Sequence, residues 1–264
     1  MRWGVMPMTR SARLKGEDAI YHVIQRGNNR QDIFWGDMDK RRYLQTLRLE
    51  QKKYGFEVYC YCLMDNHIHL LIGAAGAEIS AFMKSLNISY VQYYNKKHEC
   101  CGHLFQDRFR SEIVDSEPYL LQASKYIHLN PVKAQMVEQP ADYQWSSYWA
   151  YNGQRRDNPE MINTDVILRS FALDDASAGL AYADFVNEGI KAGDSYQRFM
   201  RFDLDSYEVQ DDIIKEILER QGSREDTILA LKMEAGLSCR EISRWMNGLS
   251  SSTVHRIISK ANIK

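Results

Sequence analysis

The order of β-prone and helical segments in the first 115 residues constrains this chain more than any other feature. Residues 19–26 (AIYHVIQR) are rich in Ile, Val and Tyr and stop at Gly27, a strand followed by a turn. Residues 39–54 are charged at many positions, with Tyr43, Leu44 and Leu47 along one side and Gly55 just past the end. That is the pattern of an amphipathic helix with a glycine stop. Residues 56–63 and 67–72 are two more β-prone runs separated only by Met64-Asp65-Asn66, short enough for an antiparallel hairpin. Ile79, Phe82, Met83, Leu86, Tyr90 and Tyr93 recur at three- and four-residue spacing, which predicts a second helix. Residues 108–114 read as a fourth strand. Ser116 then caps a helix with Glu117 and Pro118 in its first turn, running to Asn130 with Pro131 as its stop. The order β-α-β-β-α-β plus one helix predicts an α+β fold, a ferredoxin-like split βαβ with an antiparallel sheet and helices on one face.

Beyond residue 153 no strand signal remains. Residues 164–171 and 177–191 are helical patterns in an acidic setting, and 203–219 is the most acidic stretch, read as linker running into a helix. From Thr227 the pattern changes again. A helix stops at Gly236, Ser238 caps a second carrying Ile242, Trp245 and Met246, and Asn247-Gly248 turns the chain. Ser250, Ser251 and Ser252 then open a third helix that buries Val254, Ile257 and Ile258. Helix, glycine-containing turn and polar-capped helix make a helix-turn-helix signature; a small packing or dimerisation module is the plainer alternative. Three segments are expected: 1–153 with the sheet, an acidic helical linker region at 154–222, and 223–264 with the helix-turn-helix.

Charge follows that division. The net charge of −1 argues against nucleic acid when taken whole. By segment it reads +3 for 1–153, −7 for 154–222 and +3 for 223–264, so two mildly basic regions flank an acidic one. No apolar run approaches the roughly 20 residues a membrane-spanning helix needs. The N-terminus has no apolar core of a secretory signal, and five cysteines without paired spacing suit a reducing cytoplasm.

Four constellations could carry chemistry. On a strand, His67 and His69 share a face while Ile68, Leu70 and Ile72 fill the other, so the imidazoles either bind one divalent metal or are ordinary strand histidines. Tyr126 and Asn130, at i and i+4, stack a phenol and a carboxamide on one helical face. Lying over the histidines, that face would suit metal-assisted phosphoryl transfer; otherwise it is the packed end of a helix. His98, Cys100, Cys101 and His103 invite a zinc reading, but adjacent cysteines chelate one ion poorly and an ordinary loop is the stronger expectation. Finally, Arg10, Arg13 and Lys15 form a basic arm; Arg26, Gly27, Asn28, Asn29 and Arg30 form a basic loop; and Arg108 and Arg110 flank Phe109. Together these suit backbone tracking and base stacking on a single strand.

The segments YHVIQRGNNRQDIF (21–34), YCLMDNHIHLLI (61–72), GHLFQDRFRSEIVDSEPYLLQASKYIHLNPVKAQMV (102–137) and WSSYWAY (145–151) closely resemble the single-tyrosine HUH transposases of the IS200-like type. The nearest branch is that of the REP-associated tyrosine transposases, and the resemblance covers most of residues 15–152. It implies a ferredoxin-like HUH nuclease fold, with His67, His69 and Asn130 as ligands of Mg²⁺ or Mn²⁺ and Tyr126 as nucleophile. It implies nicking and strand transfer on hairpin-forming single-stranded DNA through a 5′-phosphotyrosine. In this chain Asp65 stands where the family commonly has proline before the first histidine. The helix-turn-helix lies outside the resemblance; its Ser251, Ser252, His255 and Arg256 would face duplex DNA. A monomer or homodimer acting in the cytoplasm on the nucleoid is expected. The competing expectation is a domesticated, sequence-specific DNA-binding regulator without turnover.

Overall fold

Strand pairing follows the alternation of the sequence. In the computed structural model, which describes residues 19–74, 76–152, 161–172, 174–192, 214–220, 222–235, 237, 239–246 and 249–261, β1 (Ile20–Arg26), β2 (Glu57–Leu63), β3 (His67–Gly73) and β4 (Arg110–Val114) form one sheet. Its order is β2-β3-β1-β4 and every pair is antiparallel. The helices are α1 (Asp37–Tyr54), α2 (Ile79–Lys97), α3 (Glu117–Lys133), the short α4 (Tyr148–Tyr151) and α5 (Asp165–Leu168), α6 (Asp175–Ala192), α7 (Arg224–Met233), α8 (Cys239–Trp245) and α9 (Ser251–Lys260). The chain separates into two compact units, one within residues 14–201 and the other within 202–264. No helix among the described residues is long and apolar enough to cross a membrane.

The α+β architecture of the first unit is the expected one, with three departures. Arg108 lies before β4, which begins at Arg110, so only Arg110 of that pair is on a strand. Pro131 does not stop α3, which continues to Lys133. The missing N–H falls in the last turn, where one lost bond does not unwind a helix whose Leu129 and Pro131 are buried. The helices are also not confined to one face of the sheet. α1 and α2 pack on each other through Tyr43 and Tyr90, whose ring centroids are 5.1 Å apart. α3 lies instead on the face that carries the histidines, because Tyr126 meets their rings there. β1, β2 and β3 are therefore covered on both faces, with Val23, Ile68, Leu70 and Ile72 fully buried on one and Ile24, Cys60, Cys62 and Leu71 on the other, while β4 is partly exposed.

The free edge of β2 is closed by residues 145–151. Leu63 N donates to Trp145 O, Ser147 N to Tyr61 O and Tyr151 Oη to Tyr59 O, at 2.9, 2.9 and 2.8 Å. His128, on the side of α3 away from Tyr126, bonds this segment through Ser147 Oγ at 2.9 Å and α6 through Tyr182 Oη at 2.7 Å. The neutral ring donates in one of these bonds and accepts in the other, which two hydroxyl partners both allow. Gly189 permits the close approach of α6, since a Cβ there would stand 2.5 Å from Leu129 Cδ1.

The segment expected as an acidic linker divides between two cores. Met161, Ile162, Ile167, Leu168, Ala178, Tyr182 and Val186 belong to the core of the first unit, and Ile214 and Ile217 to that of the second. Asp165, Asp174, Asp184 and Glu188 are exposed. Net charge reports the solvent face of such helices and is silent about the apolar face that packs. In the second unit Ile228, Leu231, Leu237, Ile242, Val254 and Ile258 form the core. α7 begins at Arg224, ahead of Thr227, because Ser223 and Asp226 make a reciprocal capping box. Ser250 caps α9 by accepting from Thr253 N at 3.2 Å. Gly236, Ser238, Asn247 and Gly248 lie outside the described residues.

Replacing His128 by alanine empties a buried site and strands Ser147 and Tyr182, so His128→Ala is expected to cost about 2–4 kcal/mol. Tyr182→Phe, which removes one hydrogen bond, is expected to cost about 1 kcal/mol. Urea denaturation of both variants checks the ordering, and a His128→Ala protein as stable as wild type would contradict it.

Candidate active site

Register assembles the site. In the β1–β3 pairing Ile24 faces His69 and Arg26 faces His67, and in the β1–β4 pairing His22 faces Glu112 and Ile24 faces Arg110. Residues opposite each other in a sheet point the same way. One face therefore carries His22, Arg26, His67, His69, Arg110 and Glu112, with Ile68 and Leu70 turned to the other. The hairpin turn that holds His67 is pinned by backbone bonds: Ile33 N and Phe34 N both donate to Asp65 O, and Gly27 N donates to Asn66 O. Asp65 takes the ammonium of buried Lys40 at 2.6 Å.

The rings of His67 and His69 are 5.1 Å apart and nearly perpendicular. Tyr126, only 2% exposed, presents its ring edge-on to His69 at 5.4 Å and to His22 at 5.9 Å. Asn130 lies one turn further along α3 and is also buried; its Nδ2 donates to Tyr126 O at 2.9 Å, leaving Oδ1 as the acceptor end. The structure thus brings His67, His69 and Tyr126 together and places Asn130 on the same α3 face.

Protonation of the imidazoles follows from burial. His67 is pushed down to about 3 by burial and then by the Arg26 guanidinium, and His22 to about 3 by burial alone. His69 is lowered well below its ordinary value by burial, then by His67, His22 and Lys133. All three are neutral at neutral pH. His67 Nδ1 lies 2.6 Å from Asn66 Oδ1, an atom that can only accept, so the neutral ring carries its proton on Nδ1. His69 Nδ1 lies 3.3 Å from His22 Nε2. Although His67 is partly exposed as a residue, its Nε2 is buried, as is that of His69, and neither Nε2 has a hydrogen-bond partner. Two buried nitrogens of this kind fit a divalent cation, with Asn130 Oδ1 as an oxygen donor on the facing helix. Among the described residues no group of three His, Cys, Asp or Glu side chains is arranged to hold a metal, so any third protein ligand here is of another type.

The other expected residues scatter. Arg26 is buried beside His67 instead of lying in a solvated loop, because alternation along β1 turns it onto the histidine face. Asn28 and Arg30 are partly buried in a 3-10 turn, where Asn28 N donates to Leu104 O and Arg30 O accepts from Asn66 Nδ2. Arg108 is exposed and Arg110 partly so. Ser252, His255 and Arg256 are exposed on α9, while Arg10, Arg13 and the Ser251 side chain lie outside what is described. In the HECCGH segment His98 faces Asp39, not the cysteines. The fully buried Asp39 carboxylate accepts from Lys97, Trp35 N and His98 at 2.6, 2.9 and 3.0 Å. Burial pushes that carboxyl up, but these bonds, led by Lys97, hold it below its ordinary value. His22 is the site residue that sequence reasoning missed. Its signal was present: in AIYHVIQR it alternates with Arg26 on an otherwise apolar strand.

Four histidines (the buried His22, His69 and His128, and His67) have native pKa values lowered from the ordinary 6.5. Folding stability is therefore full above pH 6.5. It falls as the pH drops from there toward 3, because the unfolded chain binds protons that the native state refuses. Each fully titrating histidine costs about 1.4 kcal/mol per pH unit. Urea denaturation between pH 7.5 and 5 is expected to show this decline, and a flat profile would contradict the buried, neutral site.

Part of the chain is similar to known proteins. Residues 16–130 match the family model described as "Transposase IS200 like". Solved structures similar to the chain include a REP-associated tyrosine transposase bound to a REP hairpin, at 14% identity over 60% of this chain and 90% of that one, with a TM-score of 0.49. A putative transposase from Deinococcus radiodurans R1 is 22% identical over 45% of this chain and 95% of that one, with a TM-score of 0.34. No curated protein matches. The matched span runs from just before β1 to Asn130 and contains both histidines and the tyrosine: over residues 16–130, a little under half of its length, this chain is similar to the IS200-like transposases.

Proposed function

We propose that the chain nicks and rejoins hairpin-forming single-stranded DNA by transesterification, with Tyr126 as the nucleophile. The observation that carries this is the pair of buried, unpartnered Nε2 atoms of His67 and His69 beside the Tyr126 ring. Similarity of residues 16–130 to a transposase family supports the same chemistry. His67, His69 and Asn130 hold Mg²⁺ or Mn²⁺ on this reading. When bound, the ion supplies Lewis-acid polarisation of a phosphodiester.

The protein's own groups do the rest. Arg26 and Lys133, whose charges already act on the histidines, favour a phosphate at this end of the sheet. The Tyr126 hydroxyl gives up its proton as its oxygen attacks phosphorus, the P–O3′ bond breaks, and the departing oxygen takes up a proton to end as a 3′-hydroxyl, so no net proton is consumed. One phosphodiester is exchanged for another, so a 3′-hydroxyl can reverse the step without an external energy source. α3 fixes the attacking oxygen by being packed on both sides, through Tyr126 against the sheet and His128 against Ser147 and Tyr182. Exposed Arg108 and partly exposed Arg110, with Asn28 and Arg30 of the 3-10 turn, track the strand's phosphates. The second unit serves as a duplex-binding module through the exposed Ser252, His255 and Arg256 of α9.

Incubation with hairpin-bearing oligonucleotides and Mn²⁺ is expected to yield a covalent protein–DNA adduct on a denaturing gel, lost in Tyr126→Phe and on chelation. No adduct with wild type, or an undiminished one with Tyr126→Phe, would sink the assignment. For the second unit, Arg256→Ala is expected to weaken duplex binding at all sequences and to lower the salt slope by about 1. Unaltered binding over a salt titration would remove α9 from the interface.

A further inference from the structure

The proposed chemistry leaves His22 without a role, yet it occupies the middle of the site. It is fully buried on β1, and its ring stacks on that of His69 with centroids 5.6 Å apart and planes within 17°. Its Nε2 is 3.3 Å from His69 Nδ1. An imidazole in a dry sheet face is costly unless its nitrogens are used.

A neutral imidazole has one donor and one acceptor. Each of the two tautomers turns one buried N–H away from this contact, on His69 Nε2 or on His22 Nδ1, and a cation at His69 Nε2 selects the second, because that atom must then be bare. With the proton on Nδ1, His69 donates to His22 Nε2 and keeps a bare lone pair on its own Nε2. His67 shows the same arrangement, with Asn66 Oδ1 as the acceptor behind its Nδ1. Outer partners of this sort commonly fix the tautomer and orientation of metal-binding imidazoles. We infer that His22 is a positioning residue: its Nε2 accepts the Nδ1–H of His69 and holds that ring so that His69 Nε2 is the ligand atom. This rests on the metal site proposed above.

Mn²⁺ binding to the full-length, DNA-free protein, followed by electron paramagnetic resonance, separates the two. His22→Phe keeps a ring but deletes the acceptor, and is expected to weaken Mn²⁺ binding about 10- to 100-fold. His22→Gln restores an acceptor oxygen and is expected to bind as wild type does, within about threefold. Wild-type affinity in His22→Phe, or a loss in His22→Gln equal to that in His22→Phe, overturns the role of His22. Absence of Mn²⁺ binding by wild type overturns the metal site instead. Nitrogen-15 NMR of wild type loaded with diamagnetic Mg²⁺, which needs no variant to fold, is expected to show His69 protonated at Nδ1 with no proton on Nε2. The opposite tautomer overturns the inference.

Discussion

The antiparallel pairing of β1 with β3 is the constraint on which the site depends. Because side chains alternate, a slip of one residue in either strand would turn His67 and His69, or His22 and Arg26, away from α3 and onto the opposite face. The apolar partners resist such a slip. Ile68, Leu70 and Ile72 are fully buried against the other layer, and moving them to the histidine face would put imidazoles in their place. The same apolar residues that form the core thereby aim the polar ones. The Met64–Asn66 turn reinforces the register, since its carbonyls receive the backbone of residues 27, 33 and 34.

What this register creates is a patch of neutral imidazoles beside fixed positive charge. Burial keeps the three histidines unprotonated, and Arg26 and Lys133 add to that effect on the two that would bind metal. Neutral nitrogens and nearby cations are a combination suited to a divalent ion and a phosphodiester together. The opposite side of α3 shows how that helix can be held without using the face that carries Tyr126. Tyr126 and His128, two residues apart, point to different sides of the helix. His128 anchors to Ser147 and Tyr182 while Tyr126 stays with the histidines.

Local pattern made part of this visible in the sequence. Alternation in HIHLLI put two imidazoles on one face, and the i, i+4 spacing put Tyr126 and Asn130 on another; the structure adds that these two faces meet. The strand order could be read because each strand ends at a local stop such as Gly27 or the Met64–Asn66 turn. The alternation of His22 with Arg26 was legible, but its place beside His69 was not, since that depends on a pairing between residues 47 apart. Burial of Arg26 was hidden for the same reason. Asp39 drawing His98 away from the adjacent cysteines joins the start of α1 to the end of α2, a contact no local spacing encodes. Net charge misled over residues 154–222, because acidic residues describe the exposed side of α6 and not Tyr182 and Val186 packed beneath it.

The central claim is that His67 Nε2 and His69 Nε2 are ligand atoms beside a tyrosine nucleophile. Anomalous diffraction from crystals of the protein grown with Mn²⁺ tests it most directly. The account predicts a manganese peak within roughly 2.0–2.3 Å of both Nε2 atoms and in reach of Asn130 Oδ1. Crystals saturated with Mn²⁺ that show no peak between those nitrogens, or a peak only elsewhere, would contradict it.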